Sequence, residues 1–394
     1  MAPSEVIDTN RHGWHVVWTA FVVAVFGWGV GFYGPGVYLA ALHQAQGWPI
    51  STISLAITAH YLVSALLITC LPDAYRRFGV ARVTMGGAVF AASGAIAWTN
   101  VQQAWQLVPA LMLSGIGWAA MSGAALNAMV APWFERGRPQ AISTAFNGAS
   151  IGGLLFAPLW MALIAGGGLS LAGFIVALAT VAIVCPMAWR FLGRTPPAAA
   201  SNAEPPLSRR VLLRQPGFVT ISVAFALGMF SQIGLFAHLI ARLEPDFGAT
   251  VAAMAISVTT LCAVLGRTLL GWLLGERDRR LAAAANLLMQ AVGALLLAFG
   301  DGVVPLAMGC VLFGLGAGNM TSLPPLIAQR EFRPADVGTV VALVTAVNQA
   351  VFAFAPAIFG ALRDFTGSYL VAFFAAAVLQ TLAAATVARG RRFS

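Results

Sequence analysis

Apolar residues run along this chain in blocks of about twenty, separated by short polar segments, and the alternation expected of a half-buried strand is absent. Blocks of that length suit the roughly 30 Å of hydrocarbon that a helix must cross in a bilayer. They fall at 16–42, 50–71, 79–99, 105–131, 139–165, 168–189, 217–241, 250–275, 281–300, 303–328, 338–362 and 367–388. The pattern predicts an all-α integral membrane protein of twelve spans with both ends on one side.

The longest polar interruption, RTPPAAASNAEPPLSRR, follows the sixth block and reads as a linker. It divides the chain into a six-helix bundle over 1–193, a linker over 194–216 and a second six-helix bundle over 217–394. Short motifs recur across that division. Gly115-Ile-Gly-Trp-Ala-Ala-Met121 matches Gly314-Leu-Gly-Ala-Gly-Asn-Met320 at an offset of 199, Arg138-Pro139 returns as Arg333-Pro334, and Phe156-Ala-Pro158 as Phe354-Ala-Pro356. Such a repeat predicts two bundles related by an axis along the membrane normal, a substrate site between them near the midplane, and access that alternates by rocking. Pro158 and Pro356 suggest bends at equivalent places, and Pro324-Pro325 a loosened end of the tenth helix.

Charge sharpens the picture. The chain of 394 residues carries a net charge of +9 with only 9 % charged residues, and every one of its 22 basic side chains is an arginine. Nineteen fall on one side of the twelve-span plan and two, Arg242 and Arg363, on the other. Positive charge collects in cytoplasmic loops, so both termini and the linker are expected in the cytoplasm, with a bacterial inner membrane as the location. The basic balance is thus a topology signal, and no nucleic-acid partner is expected. Membrane lipid is the implied surrounding, and the chain is expected to act as a monomer. The opening MAPSEVIDTNRHGW lacks a cleavage pattern and reads as retained. Four scattered cysteines, Cys70, Cys185, Cys262 and Cys310, lack metal-ligand spacing and read as packing residues.

The remaining arginine, Arg267, lies inside an apolar span. A charged group near the bilayer centre costs roughly 2.5–3.5 kcal/mol on the gentlest scale, so such residues usually line a polar path. The nearest acids along its own helix, Glu276 and Asp278, are at least nine residues away, roughly 14 Å along the axis. An anionic substrate is therefore the leading partner, because a carboxylate matches the guanidinium fork with two parallel hydrogen bonds. The alternative is a seam residue that bonds backbone carbonyls.

Placing each span's centre at mid-membrane puts further polar and aromatic residues at the same depth. Trp28, Tyr33, Trp118, Asn147, Gln232, Asn319, Asn348 and Gln349 join Arg267 as candidate substrate-binding residues. Aromatic side chains can wall the apolar part of a substrate, although packing explains them equally, and amides are costly to face toward lipid. No carboxylate shares that depth. His60 and His238 are the candidates for carrying a proton, with neutral hydrogen bonding as the plainer role for each.

Over nearly its whole length the chain resembles the major facilitator superfamily. The loop Pro72-Asp-Ala-Tyr-Arg76-Arg77-Phe78-Gly79-Val-Ala-Arg82 looks like that superfamily's G-x-x-x-D-R-x-G-x-R loop, with Pro72 for the glycine and Arg76 for the aspartate. The second copy, Gly271-Trp-Leu-Leu-Gly275-Glu276-Arg277-Asp278-Arg279-Arg280, also lacks the aspartate. The resemblance implies gates that latch the halves, with Asp73, Arg77, Arg138 and Asp278 as the gating residues. Trp133-Phe134-Glu-Arg136-Gly-Arg138-Pro, followed by alanines and glycines down the fifth helix to Gly152, is similar to the monocarboxylate and oxalate/formate transporter families. In that likeness Arg267, within Gly266-Arg267-Thr268, takes the place of an anion-binding arginine. The usual acid one turn earlier is replaced by Ala263, and the lysine used elsewhere is missing.

The expectation is a secondary transporter of a small organic anion, most simply a monocarboxylate, working by symport or antiport with protons as a candidate co-substrate. An exporter of amphipathic drugs or other apolar compounds is the alternative. An integral-membrane enzyme would need clustered acid, histidine or nucleophile chemistry, and the five histidines have no ligand spacing. With no catalytic residues, metal site or cofactor expected and no phosphate-binding loop, a primary pump is disfavoured. A channel is disfavoured by the repeat.

Overall fold

The computed structural model describes residues 3–134, 137–194 and 207–390. Most of the expected linker, together with Arg136, Arg391 and Arg392, lies outside the described residues. Contacts divide the chain into two units, Met1–Glu204 and Pro205–Ser394.

Among the described residues ten helices are long and apolar enough to cross a membrane; one of them divides in two at Gly168 and a bent helix pair after Ile50 adds another, which gives six spans in each unit. In the first, α1 is Arg11–Gln46, α2 Ile50–Ile68, α3 Val80–Thr99 and α4 Ala104–Trp133. The stretch Arg138–Phe191 holds α5 and α6, which part at Gly168, where φ 80° and ψ 171° interrupt the helix. A short helix, Leu71–Phe78, follows α2 at a bend of 56°. In the second unit α7 is Pro216–Leu243, α8 Met254–Leu273, α9 Arg279–Phe299, α10 Val303–Ala317 with a continuation Leu323–Glu331, α11 Pro334–Phe352 with Ala355–Thr366, and α12 Tyr369–Arg389.

Helices in lipid gain little from hydrophobic burial against one another, so close backbone approach carries their packing. Glycines supply it. A Cβ on Gly148 of α5 would lie 2.1 Å from Phe21 O of α1, and one on Gly117 of α4 would lie 2.4 Å from Ala91 N of α3.

Three spans carry irregularities near the candidate residues. In α1, Gly27–Phe32 is a π-helical stretch, with Tyr33 N bonded five residues back to Trp28 O at 2.8 Å. In α4 the helix Leu107–Met121 stops at Ser122, whose ψ of 175° is extended, and restarts at Gly123. In α10 a tight turn Gly318–Met320 separates the two helical parts. The breaks in α4 and α10 fall on the repeated motif, Met121-Ser122 against Met320-Thr321.

Pro324 and Pro325 act differently from their expected role. Pro324 and Pro325 sit in the first turn of Leu323–Glu331, so they start a helix where a loosened end was expected; proline lacks an N–H that a first turn would leave unbonded anyway. Pro356 likewise opens Ala355–Thr366 after a break in α11, whereas Pro158 is carried inside helical α5.

Candidate functional site

In the second unit the site begins at the crossing of α8 and α10. A Cβ on Gly266 would lie 2.0 Å from Leu315 O, one on Gly314 2.5 Å from Thr259 O, and one on Gly318 1.9 Å from Ala263 O. Only glycine lets these backbones meet. Arg267 follows Gly266 and is 4 % exposed. Its Nε donates to Gly318 O at 2.6 Å.

That carbonyl belongs to the turn that interrupts α10. Breaking a helix releases carbonyls, and in a membrane each needs another donor. Gly318 O takes Arg267, Gly316 O takes Asn286 Nδ2 at 3.1 Å, and Leu315 O takes Asn319 Nδ2 at 3.1 Å. Asn319 Nδ2 also reaches Asn286 Oδ1 at 2.9 Å. Arg267 therefore does bond a backbone carbonyl, as the seam alternative expects. A guanidinium offers five N–H donors in a planar fork, a geometry that can also grip a carboxylate.

The other candidates in this unit are buried amides. Gln232 on α7 is 8 % exposed, Asn348 on α11 7 % and Gln349 2 %. Gln232 Oε1 and Asn348 Oδ1 accept no hydrogen bond. His238 lies toward the far end of α7, where its Nε2 is 2.9 Å from Pro356 O and its ring packs on Phe359 and Tyr369. A carbonyl only accepts, so Nε2 carries the proton of that bond.

In the first unit the π-helical stretch organises the candidates. Its carbonyls are met by side chains of other helices: Gly31 O by His60 Nε2 at 3.1 Å, Phe32 O by the Tyr61 hydroxyl at 3.0 Å and Gly29 O by Trp160 Nε1 at 3.4 Å. His60 is fully buried, and its Nδ1 lies 2.8 Å from Ser114 Oγ, which also accepts from Trp98 Nε1 at 2.9 Å. The glycines that alternate through Gly27, Gly29 and Gly31 let Met121, Phe156 and Trp118 press against α1. Trp28 and Trp118 meet edge to face at 4.8 Å, and Phe146 joins Trp28 at 6.3 Å. Tyr33 packs on Phe32 at 5.1 Å and over Gly153, while Asn147 is half-buried on α5.

Each expected gating residue makes contacts with residues close by in the chain. Asp73 pairs with Arg76, and Arg77 lies 5.2 Å from the centre of the Phe78 ring. Arg138 Nε donates to Phe134 O at 2.5 Å. Asp278 caps α9, accepting from Arg280 N at 2.9 Å and Leu281 N at 3.0 Å.

The sequence reading missed a buried ion pair on the arginine-rich side of the second unit. Arg280 Nε and Nη2 donate to Glu331 Oε1 and Oε2 at 2.5 and 2.6 Å. The same guanidinium reaches Thr220 Oγ1, Gly217 O and Val387 O, joining the ends of α7, α9, α10 and α12. Local sequence carried no signal for it, since Arg280 and Glu331 are 51 positions apart.

Known proteins agree with this architecture. The family model described as Major Facilitator Superfamily matches residues 17–356. The MFS transporter asaE of Aspergillus flavus is 27 % identical over 343 residues, 83 % of this chain and 75 % of that protein. Among solved structures, the human organic anion transporter MFSD10 (TETRAN) aligns with a TM-score of 0.75 at 16 % identity, covering 96 % of this chain and 99 % of the other. The Escherichia coli fucose:proton symporter FucP (N162A) gives 0.71 at 17 % identity, with the same coverage. Two six-helix units, a shared helix-breaking repeat and a family match over most of the chain lead to one assignment: this multi-pass membrane protein belongs to the Major Facilitator Superfamily.

Proposed function

We propose that the chain is a secondary transporter of a small organic anion, most simply a monocarboxylate, and that Arg267 receives the substrate's carboxylate. The observation that carries the proposal is a buried guanidinium, 4 % exposed, beside the turn that interrupts α10, with its Nε on Gly318 O. A fixed Nε orients the terminal nitrogens and so preorganises the fork for a planar, two-oxygen ligand. The fold does not choose the substrate by itself, since the structural neighbours carry an organic anion in one case and fucose with a proton in the other. In this reading Gln232, Asn319, Asn348 and Gln349 line the polar part of the path, and Trp28, Tyr33, Trp118 and Asn147 contribute from the first unit. The arginine-rich side is cytoplasmic, in a bacterial inner membrane.

The test is binding and substrate counterflow for Arg267→Ala and Arg267→Lys, with folding checked by size-exclusion profile. Loss of the charge removes a few kcal/mol of recognition, so Arg267→Ala should weaken binding about a hundredfold or more. Arg267→Lys should also be damaged, because it keeps charge and loses the fork. Folded variants with normal affinity would leave Arg267 a seam residue.

Coupling is the second element. His60 and His238 each give a ring N–H to a backbone carbonyl, and either is the proposed proton carrier. Uptake into proteoliposomes with and without a pH gradient should lose its gradient dependence in His60→Gln or His238→Gln. Gradient-driven uptake that survives the double variant removes both from the path.

The aromatic group around Trp28 and Trp118 favours a second reading, export of amphipathic compounds. Ligand stabilisation separates the two: carboxylates raise the melting temperature under the first reading, and apolar cations under the second.

A further inference from the structure

Just before α7, residues 208–214 form one helical turn, with Leu212 N bonded to Ser208 O and Leu213 N to Arg209 O. The turn is fixed firmly. Leu212 is wholly buried, Leu207 N donates to Asp336 Oδ1 at the start of α11 at 2.7 Å, and Gly217 O accepts from Arg280 Nη2 at 3.1 Å. Asp336 is itself 1 % exposed and takes Arg333 Nε on its other oxygen.

At roughly 100° per residue, Arg210 and Arg214 stand side by side, Val211 and Leu213 flank them, and Leu212 points the opposite way. Exposure agrees: Val211 is 47 % and Leu213 45 % exposed, and both arginines are exposed. A turn facing water would show a polar outer face, and lone exposed aliphatics carry no message. Here a rigid turn presents two guanidiniums between two aliphatic side chains, immediately before Pro216, where a membrane span begins. That depth is the boundary between acyl chains and headgroups, where aliphatic tips enter the apolar layer and basic heads meet phosphate.

The geometry points to a headgroup site for an anionic phospholipid, its phosphate held by Arg210 and Arg214 and its upper acyl chain against Val211 and Leu213. A free phosphate would use the arginines and leave the aliphatic pair without a role. The site is independent of the substrate reading above.

The experiment takes the full chain from bilayers of phosphatidylcholine containing a minor fraction of phosphatidylglycerol and counts retained lipids by native mass spectrometry. Wild type should retain phosphatidylglycerol selectively. At about 1 kcal/mol for each arginine near an anionic surface, Arg210→Gln with Arg214→Gln should lower that preference roughly thirtyfold. The exposed pair Arg277→Gln with Arg389→Gln should leave it intact. Val211→Ser with Leu213→Ser should weaken retention as well, and added inorganic phosphate should not displace the lipid. Equal retention by wild type and the Arg210/Arg214 variant overturns the site. Displacement by inorganic phosphate, or indifference to the aliphatic substitutions, overturns its assignment to lipid.

Discussion

Gly266→Ala is the sharpest test of how the crossing of α8 and α10 supports Arg267. The new Cβ would lie 2.0 Å from Leu315 O and 2.7 Å from Leu315 C. An ordinary carbon–oxygen contact is about 3.3 Å, so the helices must part by about 1.3 Å. The obstacle is backbone, which has no rotamer to escape into. Overpacking costs about 1–3 kcal/mol and belongs here at the upper end, while the better helix propensity of alanine returns about 1 kcal/mol. A net loss of about 2 kcal/mol is expected. The same displacement would carry the Arg267 Nε to Gly318 O bond from 2.6 Å to about 3.9 Å, beyond hydrogen-bond reach. Gly86→Ala on α3 is the control, since a Cβ there meets nothing within 4 Å. Thermal denaturation followed by size exclusion, with counterflow on the same samples, should show Gly266→Ala melting several degrees lower with impaired transport and Gly86→Ala at or above wild type. A Gly266→Ala protein that melts within about one degree of wild type and transports normally would refute the seam argument.

Two further predictions follow from the arginine-rich side of the second unit. Glu331→Gln strands a buried guanidinium and should cost about 3–5 kcal/mol in thermal stability, whereas Glu276→Gln, which breaks the exposed 3.1 Å pair with Arg330, should cost less than about 1 kcal/mol. Asp278→Ala should cost about 1 kcal/mol through loss of the cap of α9, with Asp278→Asn close to wild type; hydrogen exchange at residues 280–281 reads the fraying directly.

The spans were legible because each is a long apolar block with polar ends, and even the α5–α6 turn at Gly168 falls where the pattern places it. Four features were hidden for physical reasons. The π-helical stretch leaves hydropathy unchanged; only the alternation of Gly27, Gly29 and Gly31 hints at it. Pro324-Pro325 reads equally as a disturbed end or a new start until the turn at Gly318 is seen. Asn319 was placed with the substrate residues by depth, and its bond to Asn286 joins positions 33 apart that no local pattern connects. Arg280 and Glu331, 51 apart, are hidden in the same way.

The matching breaks in α4 and α10 have a consequence for how the two halves have diverged. At the first, Ser122 satisfies Ala119 O with its own hydroxyl at 2.9 Å, and Gly27 brings α1 against Met121 O. At the second, equivalent carbonyls are served by a guanidinium from α8 and an amide from α9, beside the break's own Asn319. One inherited backbone irregularity thus has a self-sufficient version and a version dependent on borrowed donors. A mutational library across the two breaks should therefore be lopsided: the α4 copy tolerant of changes in its neighbours, the α10 copy intolerant, with the asymmetry marking which half of an ancient duplication took on polar work.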